Sequence, residues 1–363
     1  MVGDSLSGLS ALLILRFNGD SLPLGSRVPV PACFYSIEEN HRAVDLQCAS
    51  QMEKTVDVPR SPFKILIASP SGLPPSQVSI AFCESYDRIP HPDSTLEDSI
   101  SEIWNQRLQA NSSLFNGKKF RYGGFTFLSE GGSLNKDSHV CLHLGLTDYR
   151  TFVGTNLSPL WERFLVPSED DSIFCQHSSS PLGNGAIVET SDGKIVLLQR
   201  SNNVGEFPGH FVFPGGHPEP QELGIESHDD VKGFADANTI NRKLSQEMFD
   251  SIIREVVEEI GVPPESLSNP VFIGISRREL NVRPAAFFFI KCSLDSVEIQ
   301  KLYTSAQDGY ESTQLYTVPM LQNYRTFERS CAFPNEAGDP NTVDSSPLTL
   351  FMLTIFPSCA PIS

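Results

Sequence analysis

The sequence has no pair of cysteines at the C-x-x-C spacing, although eight cysteines are spread over its 363 residues. That spacing is typical of zinc ribbons and of redox dithiols, so neither kind of site is indicated. Scattered thiols in a chain of this length are instead typical of a reducing compartment, where cysteine acts as a small apolar side chain. From this pattern we expect a cytoplasmic protein.

Long hydrophobic runs are also absent. The longest apolar segments cover residues 9–15 and 348–356, and both are far shorter than the roughly 20 residues that a transmembrane helix needs. The first 16 residues carry Asp4 before any lysine or arginine, which argues against a secretory signal peptide. We therefore expect no membrane association, and the serines of this segment leave an organelle transit peptide as the alternative.

Basic residues are scarce. Lys and Arg number 27 against 44 Asp and Glu, which gives a formal net charge of −17. We therefore expect no broad basic surface and no nucleic-acid partner. An acidic protein can still bind an anionic ligand through a local basic group or a divalent metal ion. Hydrophobic residues make up 39% of the chain, which is enough for a buried core.

The chain divides into four segments by pattern. Residues 1–62 are weakly periodic and contain several prolines, so we predict an irregular N-terminal extension. Residues 63–182 carry short strand and helix signals and predict a smaller α+β region. Residues 183–329 mix strands and helices without strict alternation, which predicts an α+β fold with a mixed sheet. Residues 330–363 lose this pattern and form an atypical tail.

Local signals predict the elements that position the motifs below. The predicted strands cover residues 64–68, 78–82, 125–128, 140–144, 186–189, 194–199, 211–213, 271–276, 285–292 and 315–318. A helix begins near residue 95, with Ser94 or Thr95 as its cap, and another lies near residues 297–304. A further helix is predicted over residues 246–260, where Gly261 and Pro263 end it.

Three glutamates share one face of the predicted helix 246–260. Glu255, Glu258 and Glu259 are spaced i, i+3 and i+4, while apolar residues at 253, 256, 257 and 260 face the core. Like charges on one face repel each other by a few tenths of a kcal/mol per pair. Mg²⁺ prefers oxygen ligands and would remove this repulsion. The alternative is a solvated acidic face without a ligand.

A glycine-rich loop, Phe213-Pro214-Gly215-Gly216-His217-Pro218-Glu219, precedes this helix. Gly215 and Gly216 allow the backbone to approach a ligand closely, and the Gly215 carbonyl is a candidate metal ligand. Glu222 follows Gly216 after five intervening residues. We predict that Glu222 pairs with Arg254 and thereby fixes the loop against the helix.

Together the loop and the helix resemble the Nudix box of the Nudix hydrolases, G-x5-E-x7-R-E-U-x-E-E-x-G-U, in which U is a bulky apolar residue. Gly216-x5-Glu222 matches the first part, and Arg254-Glu255-Val256-x-Glu258-Glu259-x-Gly261-Val262 matches the second. The one departure is that residues 223–253 number 31 where the pattern has 7, an insertion of 24. A polar surface loop can be lengthened at modest cost in closure entropy. We therefore expect the inserted segment, roughly residues 223–247, to loop out.

The resemblance implies a Nudix fold, an α/β/α sandwich, over residues 183–329. It also implies Mg²⁺- or Mn²⁺-dependent hydrolysis of a nucleoside diphosphate linked to another group. Glu255, Glu258 and Glu259 would hold the metal, which neutralises the diphosphate and lowers the pKa of a bound water. Glu258 or Glu259 would accept the proton of that water, while Arg254 and Glu222 support the site.

The long N-terminal region and the interrupted box resemble the Nudix hydrolases that act on UDP-glucose and UDP-galactose. This likeness extends through residues 113–121, 146–156 and 199–219, and it implies UMP and a sugar 1-phosphate as products. One alternative is a Nudix hydrolase for ADP-ribose, CoA or a dinucleotide, because the box reports the diphosphate and not the base. Another is a non-catalytic module that binds a nucleotide.

A site for a UDP-sugar needs a flat apolar wall for uracil, positive charge for phosphate and polar groups for the sugar. Phe115 and Tyr149 are candidates for the wall, although an ordinary core position is the favoured alternative for Phe115. Arg200 either reaches the diphosphate or forms a surface ion pair. The glycine loop supplies His217 and Glu219, and the block before it supplies Gly205. The sequence leaves the oligomeric state open.

Overall fold

Two β-sheets share the apolar core of the computed structural model, which describes residues 63–128, 139–202, 209–232, 237–307 and 312–319. The strands are β1 (Phe63–Leu73), β2 (Val78–Phe82), β3 (Lys118–Leu128), β4 (His139–Asp148), β5 (Gly183–Glu189), β6 (Lys194–Arg200), β7 (Phe211–Val212), β8 (Val271–Arg278), β9 (Pro284–Lys291) and β10 (Ser312–Pro319). The helices are α1 (Ser94–Ala110), α2 (Tyr149–Gly154), α3 (Asp171–Phe174), α4 (His228–Lys232), α5 (Ala237–Ile260) and α6 (Ser296–Tyr303).

The larger sheet has the strand order β1-β8-β9-β5-β6-β10, with β7 paired to β6. Its β5 and β9 run parallel, while the other neighbouring pairs along this order are antiparallel. The smaller sheet has the order β2-β4-β3, in which β2 and β4 are parallel. Both sheets are flanked by helices, so the predicted α+β class with a mixed sheet is confirmed.

One continuous apolar cluster joins the two sheets to α5. Leu142 and Leu144 of the small sheet belong to it together with Phe272 and Phe288 of the large sheet and Val256 of α5. Strand alternation explains the second cluster, because Ile187 and Phe287 point to the opposite face of the large sheet from their neighbours. The large sheet is therefore buried on both faces.

The course of α5 differs from the prediction. The helix was expected to begin at residue 246 but begins at Ala237, so the inserted segment does not simply loop out. Ile225, Ile240 and Leu244 of that segment are buried in the shared core. The physical reason is that residues 240 and 244 continue the apolar stripe of residues 248, 252 and 256 at four-residue intervals.

The α1 cap also differs by one residue from the prediction. Asp93, and not Ser94 or Thr95, caps the helix, because its carboxylate accepts the N–H groups of Thr95 and Leu96. In the described ranges no helix is long and apolar enough to cross a membrane. The predictions for residues 1–62 and 330–363 concern segments outside the described residues.

Candidate active site

The glycine loop lies on the edge of β5 as if it were a further strand. The Asn184 and Ala186 N–H groups donate to the carbonyls of Gly216 and Pro214 at 2.9 and 2.7 Å. The side chain of Asn184 accepts the Gly216 N–H at 2.8 Å, and its own amide donates to Ser251 of α5 at 2.9 Å. Asn184 thus ties the loop to both the sheet and the helix.

The two glycines let the loop backbone lie close to α5 and to β5. A Cβ on Gly216 would lie 1.9 Å from Oε1 of Glu255, and a Cβ on Gly215 would lie 2.3 Å from the carbonyl oxygen of Asn184. Any larger residue would therefore push the loop away from the helix carboxylates or from β5. The double glycine therefore allows close packing against protein atoms, and the predicted close approach to a ligand stays a prediction.

Two of the three predicted metal ligands face this loop directly. Oε2 of Glu259 accepts the Gly215 N–H at 2.7 Å, and Oε1 of Glu255 accepts the His217 N–H at 3.3 Å. Glu259 is buried, whereas Glu255 and Glu258 are half-buried. The carboxylates of Glu255 and Glu259 therefore meet the loop backbone, as their helical spacing requires.

The donor chemistry of this site suits a hard divalent cation. Carboxylate and carbonyl oxygens are the ligands that Mg²⁺ takes, usually through one or two carboxylates together with water and substrate phosphate. Among the described residues no three Asp, Glu, His or Cys side chains enclose a metal-sized space. An ion held by two carboxylates and completed by substrate needs no such enclosure, so the residues fit Mg²⁺.

The ion pair of Arg254 differs from the prediction. Its guanidinium donates to both carboxylate oxygens of Glu247, at 2.6 and 3.2 Å, whereas Glu222 is exposed. Burial raises the pKa of Glu247 although Arg254 and the N–H of Glu219 lower it. Burial alone would lower the pKa of Arg254, but the charge and hydrogen bonds of Glu247 raise it. Glu247 thus fixes the loop to the helix, and the predicted pairing with Glu222 is wrong.

Three cations surround His217 in the loop. Burial first, and then the charges of Lys119, Arg283 and Arg200, hold the pKa of His217 well below its usual range. Its imidazole is therefore neutral, and Nε2 accepts a hydrogen bond from the Arg283 guanidinium at 2.5 Å. In a chain with a net charge of −17, this group is a local concentration of positive charge beside the helix carboxylates.

Arg200 and Glu219 have specific places in this arrangement. Arg200 ends β6 and is buried, so the surface ion pair considered for it is wrong. Glu219 pairs with Lys119 of β3 at 2.7 Å, and its backbone N–H approaches Glu247. The pair Lys119–Glu219 therefore joins the small sheet to the glycine loop.

The aromatic candidates lie near the start of β3. Phe115 is 64% exposed, so the core position favoured for it is wrong. Its loop is fixed because Asn116 accepts the Arg150 N–H at 2.7 Å and Gly117 accepts the Tyr149 N–H at 3.0 Å. The Tyr149 ring packs edge-on against Trp104 at 5.8 Å between centroids. Gly205, the remaining predicted contact, lies outside the described residues.

Two further charged residues, Asp148 and Arg277, have structural roles. Asp148 caps α2 by accepting the Thr151 N–H at 2.9 Å. Arg277 is buried, pairs with Asp171 and Glu279 and stacks over the Phe174 ring at 4.6 Å. These contacts fix the end of β8 against α3.

Sequence reasoning missed Lys119, Asn184, Glu247 and Arg283. Glu247 could have been found, because it lies seven residues before Arg254 and so on the same helix face. Lys119 stood within the block of residues 113–121 but carried no signal of its own. Asn184 and Arg283 each lie at a strand end, where only the tertiary pairing of β5 and β9 reveals their role.

Comparison with known proteins gives several extensive sequence matches, and two of them represent the range of identity. The chain is 65% identical over 260 residues to Nudix hydrolase 9 of Arabidopsis thaliana, a match that covers 72% of this chain and 84% of that protein. It is 35% identical over 272 residues to uridine diphosphate glucose pyrophosphatase NUDT22 of Homo sapiens, covering 73% of this chain and 85% of that protein.

The other comparisons add little. No family model matches the chain. Among solved structures, the MutT protein from Methanosarcina mazei Go1 is 19% identical, covers 42% of this chain and 83% of its own, and gives a TM-score of 0.25. A TM-score this low adds nothing to the sequence matches.

Proposed function

Because the chain belongs to the Nudix hydrolase family and is a hydrolase, we propose that it cleaves the diphosphate bond of UDP-glucose or UDP-galactose to give UMP and a sugar 1-phosphate. The observation that carries the proposal is the loop–helix contact, in which Glu255 and Glu259 meet the backbone of Gly215–His217 beside three cations. The uridine preference is supported by the relative that is named as a UDP-glucose pyrophosphatase.

Glu255, Glu258 and Glu259, with the Gly215 carbonyl, would hold Mg²⁺ or Mn²⁺ in this proposal. When bound, such a metal ion neutralises diphosphate charge and lowers the pKa of a coordinated water. The loop N–H groups keep the carboxylates of Glu255 and Glu259 turned toward the glycine loop. Their orientation therefore requires little rearrangement when substrate arrives.

Lys119, Arg200 and Arg283 would bind the diphosphate. Buried guanidinium groups form strong, directed hydrogen bonds with phosphate oxygens, and both arginines are buried next to the loop. Neutral His217 adds no charge of its own but holds Arg283 in place through Nε2. This arrangement explains how a strongly acidic chain could attract an anionic substrate.

Hydrolysis in this site requires a water molecule, a base and a leaving phosphate. The water oxygen forms a bond to one phosphorus as the bridging P–O bond breaks, and the leaving phosphate takes that electron pair. Glu258 or Glu259 accepts the proton of the water. The cations then stabilise the charge that develops on the leaving phosphate.

Phe115 and Tyr149 would provide the wall for uracil. Phe115 is exposed although its loop is hydrogen-bonded in place, and an aromatic ring held in this way is suited to stacking on a base. It lies four residues before Lys119, one of the proposed phosphate-binding cations.

A substrate panel tests this function. The full chain would be incubated with Mg²⁺ and UDP-glucose, UDP-galactose, ADP-glucose, ADP-ribose, CoA or a dinucleoside diphosphate, and the products separated by chromatography. We expect UMP from the UDP-sugars at the highest rate, and loss of activity with EDTA. Faster release of AMP from ADP-ribose or from a dinucleotide would contradict the proposed substrate and favour another Nudix activity.

A further inference from the structure

Two strained backbone positions lie close to the proposed site. Ser180 and Val282 have φ angles of 44° and 49°, and they are the non-glycine residues with positive φ within the described ranges. A β-branched residue such as Val282 strongly disfavours this conformation. Strain of this kind persists where the surrounding structure enforces it, and it is concentrated at functional sites.

Unpaired polar groups lie at the first of these positions and next to the second. The Ser180 hydroxyl and both amide atoms of Asn281 have no hydrogen-bond partner in the part of the chain that the structure describes. Ser180 is 2% exposed and Asn281 is 4% exposed. Buried polar groups are almost always paired, so these two residues are arranged for a partner that the described protein atoms do not provide.

Asn156 holds the two strained segments together. Its Oδ1 accepts the Ser180 N–H at 3.1 Å, and its Nδ2 donates to the Asn281 carbonyl at 2.8 Å. Asn156 is itself buried, and Oδ1 also accepts the Thr155 hydroxyl at 3.1 Å. The backbones of Ser180 and Asn281, the two residues with unpaired side-chain groups, are therefore linked through one buried amide.

This cluster connects directly to the cations of the site. Arg283 follows Asn281 by two residues, donates to His217 and lies over the Phe152 ring at 5.2 Å from its centroid. Two residues span at most about 7 Å. The unpaired amide of Asn281 thus lies within a substrate's length of the proposed diphosphate site.

We propose that Asn281 and Ser180 form a polar subsite that hydrogen-bonds the imide edge of the pyrimidine base, an inference that rests on the proposed function. A neutral amide and a hydroxyl suit an uncharged group, while Lys119, Arg200 and Arg283 serve the phosphates. The Asn281 amide offers one acceptor and one donor group, which match the adjacent N3–H and carbonyl of uracil.

Access to this subsite requires residues 279–282, in the turn between β8 and β9, to lift while Arg283 stays bound to His217. Leu280 at the tip of this turn is 59% exposed, although its neighbour Asn281 is buried. Relief of the strain at Val282 and of the unpaired amide lowers the cost of lifting the turn. In the lifted turn, the base supplies the hydrogen-bond partners that the Asn281 amide lacks when the turn is closed.

The test compares Asn281→Leu with the wild-type protein. UMP and ribose 5-phosphate binding would be measured by calorimetry, UDP-glucose hydrolysis by KM and kcat, and stability by the thermal midpoint. We expect UMP to bind roughly tenfold to a hundredfold more weakly, which is typical of losing a two-bond contact to a base edge. Ribose 5-phosphate binding should not change. The midpoint should stay or rise, because an apolar side chain of similar size replaces an unpaired amide.

Unchanged UMP affinity would overturn the subsite, whatever happens to the thermal midpoint. A rise in KM for UDP-glucose with unchanged UMP binding would place the contact on the sugar and contradict the assignment to the base. Wild-type protein that binds UMP but leaves UDP-glucose intact would contradict the proposed function and not this subsite. The two failures are therefore distinguishable.

Two further variants keep the result decisive if Asn281→Leu fails to fold. Ser180→Ala should also weaken UMP binding at an unchanged midpoint, and normal UMP binding by this variant would overturn the proposal. Ser266→Ala is the matched control, because the buried Ser266 hydroxyl is paired with the Pro263 carbonyl at 2.6 Å. It should lower the midpoint and leave UMP binding unchanged.

Discussion

At the scale of single residues, the ion pair between Glu247 and Arg254 shows how a motif can mislead. The pattern Gly216-x5-Glu222 assigns the supporting carboxylate by counting along the chain, and an insertion of 24 residues separates it from the helix. Glu247 lies on the same helix as Arg254, where two turns of α5 bring their side chains together. Glu247 pairs with Arg254 in place of Glu222 because both residues lie on α5, so the pair forms without ordering the loop that carries Glu222.

Glu247→Gln is therefore expected to destabilise the fold and to lower turnover. The Glu247 side chain is 6% exposed, and the substitution removes its charge contact with the partly exposed Arg254 guanidinium, at a cost of about 0.5–1.5 kcal/mol. Urea unfolding measures this cost. Exposed Glu222→Gln is the control and should stay within about 0.5 kcal/mol of wild type. Equal losses in the two variants would contradict the assignment to Glu247.

Glu255→Gln and Glu259→Gln are expected to lower kcat by about 100-fold or more, since each removes a carboxylate of the proposed base and metal site. The fold should remain, because a glutamine oxygen still accepts the loop N–H groups of His217 and Gly215. Steady-state rates over a range of Mg²⁺ concentrations measure the effect. Exposed Glu265→Gln serves as the control. Near-normal rates in both variants at saturating Mg²⁺ would disprove the metal site.

At the scale of elements, the extended α5 binds the small sheet to the large one. The Asn241 side chain accepts the Phe82 N–H of β2 at 3.1 Å. In α4, His228 stacks on the Phe82 ring at 4.7 Å between centroids and pairs with Asp87 at 2.9 Å. The inserted segment is therefore a structural connection between the two sheets.

Removal of residues 224–245 is accordingly expected to abolish cooperative unfolding, the opposite of what a surface loop predicts. Leu244→Ala tests the same point more gently and should cost about 2–5 kcal/mol, as for other buried leucines. Leu160→Ala is the matched control, since Leu160 is 40% exposed. Differential scanning calorimetry distinguishes these outcomes. A shortened chain that melts as sharply as wild type would show that the segment is dispensable.

The start of α1 gives a pH-dependent contribution to stability. The hydrogen bonds of Arg88 lower the pKa of Glu97 most, although burial raises it. A carboxyl whose pKa is lower in the folded than in the unfolded chain stabilises the fold above the unfolded pKa. That contribution is lost as pH falls through the folded pKa.

Glu97→Gln should therefore lower the free energy of unfolding at about pH 7 and have little effect near pH 2. Urea unfolding at a series of pH values measures the difference from wild type. Glu102→Gln, which changes an exposed residue of the same helix, is the control and should show no such dependence. A difference for Glu97→Gln that grows toward acid pH would contradict the sign of the pKa shift.

At the scale of the whole molecule, residues 63–182 and the strands after residue 183 share one core. Strand β1 pairs with β8 of the large sheet, and residues of β2, β3 and β4 pack in the cluster that includes α5. Lys119 of β3 also reaches the glycine loop. The small sheet therefore contributes both packing and charge to the proposed site.

A chain that begins at residue 183 is expected to lose cooperative unfolding, because it uncovers β8 and the apolar side of α5. A chain that begins at residue 61 retains every described element and should hydrolyse substrate at the wild-type rate. Circular dichroism melts and activity assays of both truncated chains measure the two outcomes. A stable and active chain from residue 183 would show that the small sheet is an independent addition.

Much of the fold was predictable because its local signals are strong. The β5–β6 hairpin around Ser191-Asp192-Gly193 and the boundaries of β2 follow from turn chemistry and strand alternation. The loop and helix carboxylates followed from the motif. The start of α5, the partner of Arg254 and the positions of Lys119 and Arg283 depend on contacts between distant segments, which no local pattern contains. The strained turn at Val282 is likewise visible only in the folded chain.

The most direct test of the central claim is ³¹P NMR of UDP-glucose during turnover by the full chain with Mg²⁺. Attack on the diphosphate predicts that both diphosphate resonances disappear and that the signals of UMP and glucose 1-phosphate grow in equal amounts. The Glu259→Gln protein, run in parallel, should leave the substrate unchanged over the same period. Formation of UDP and free glucose, or no reaction with the wild-type protein, would contradict the account.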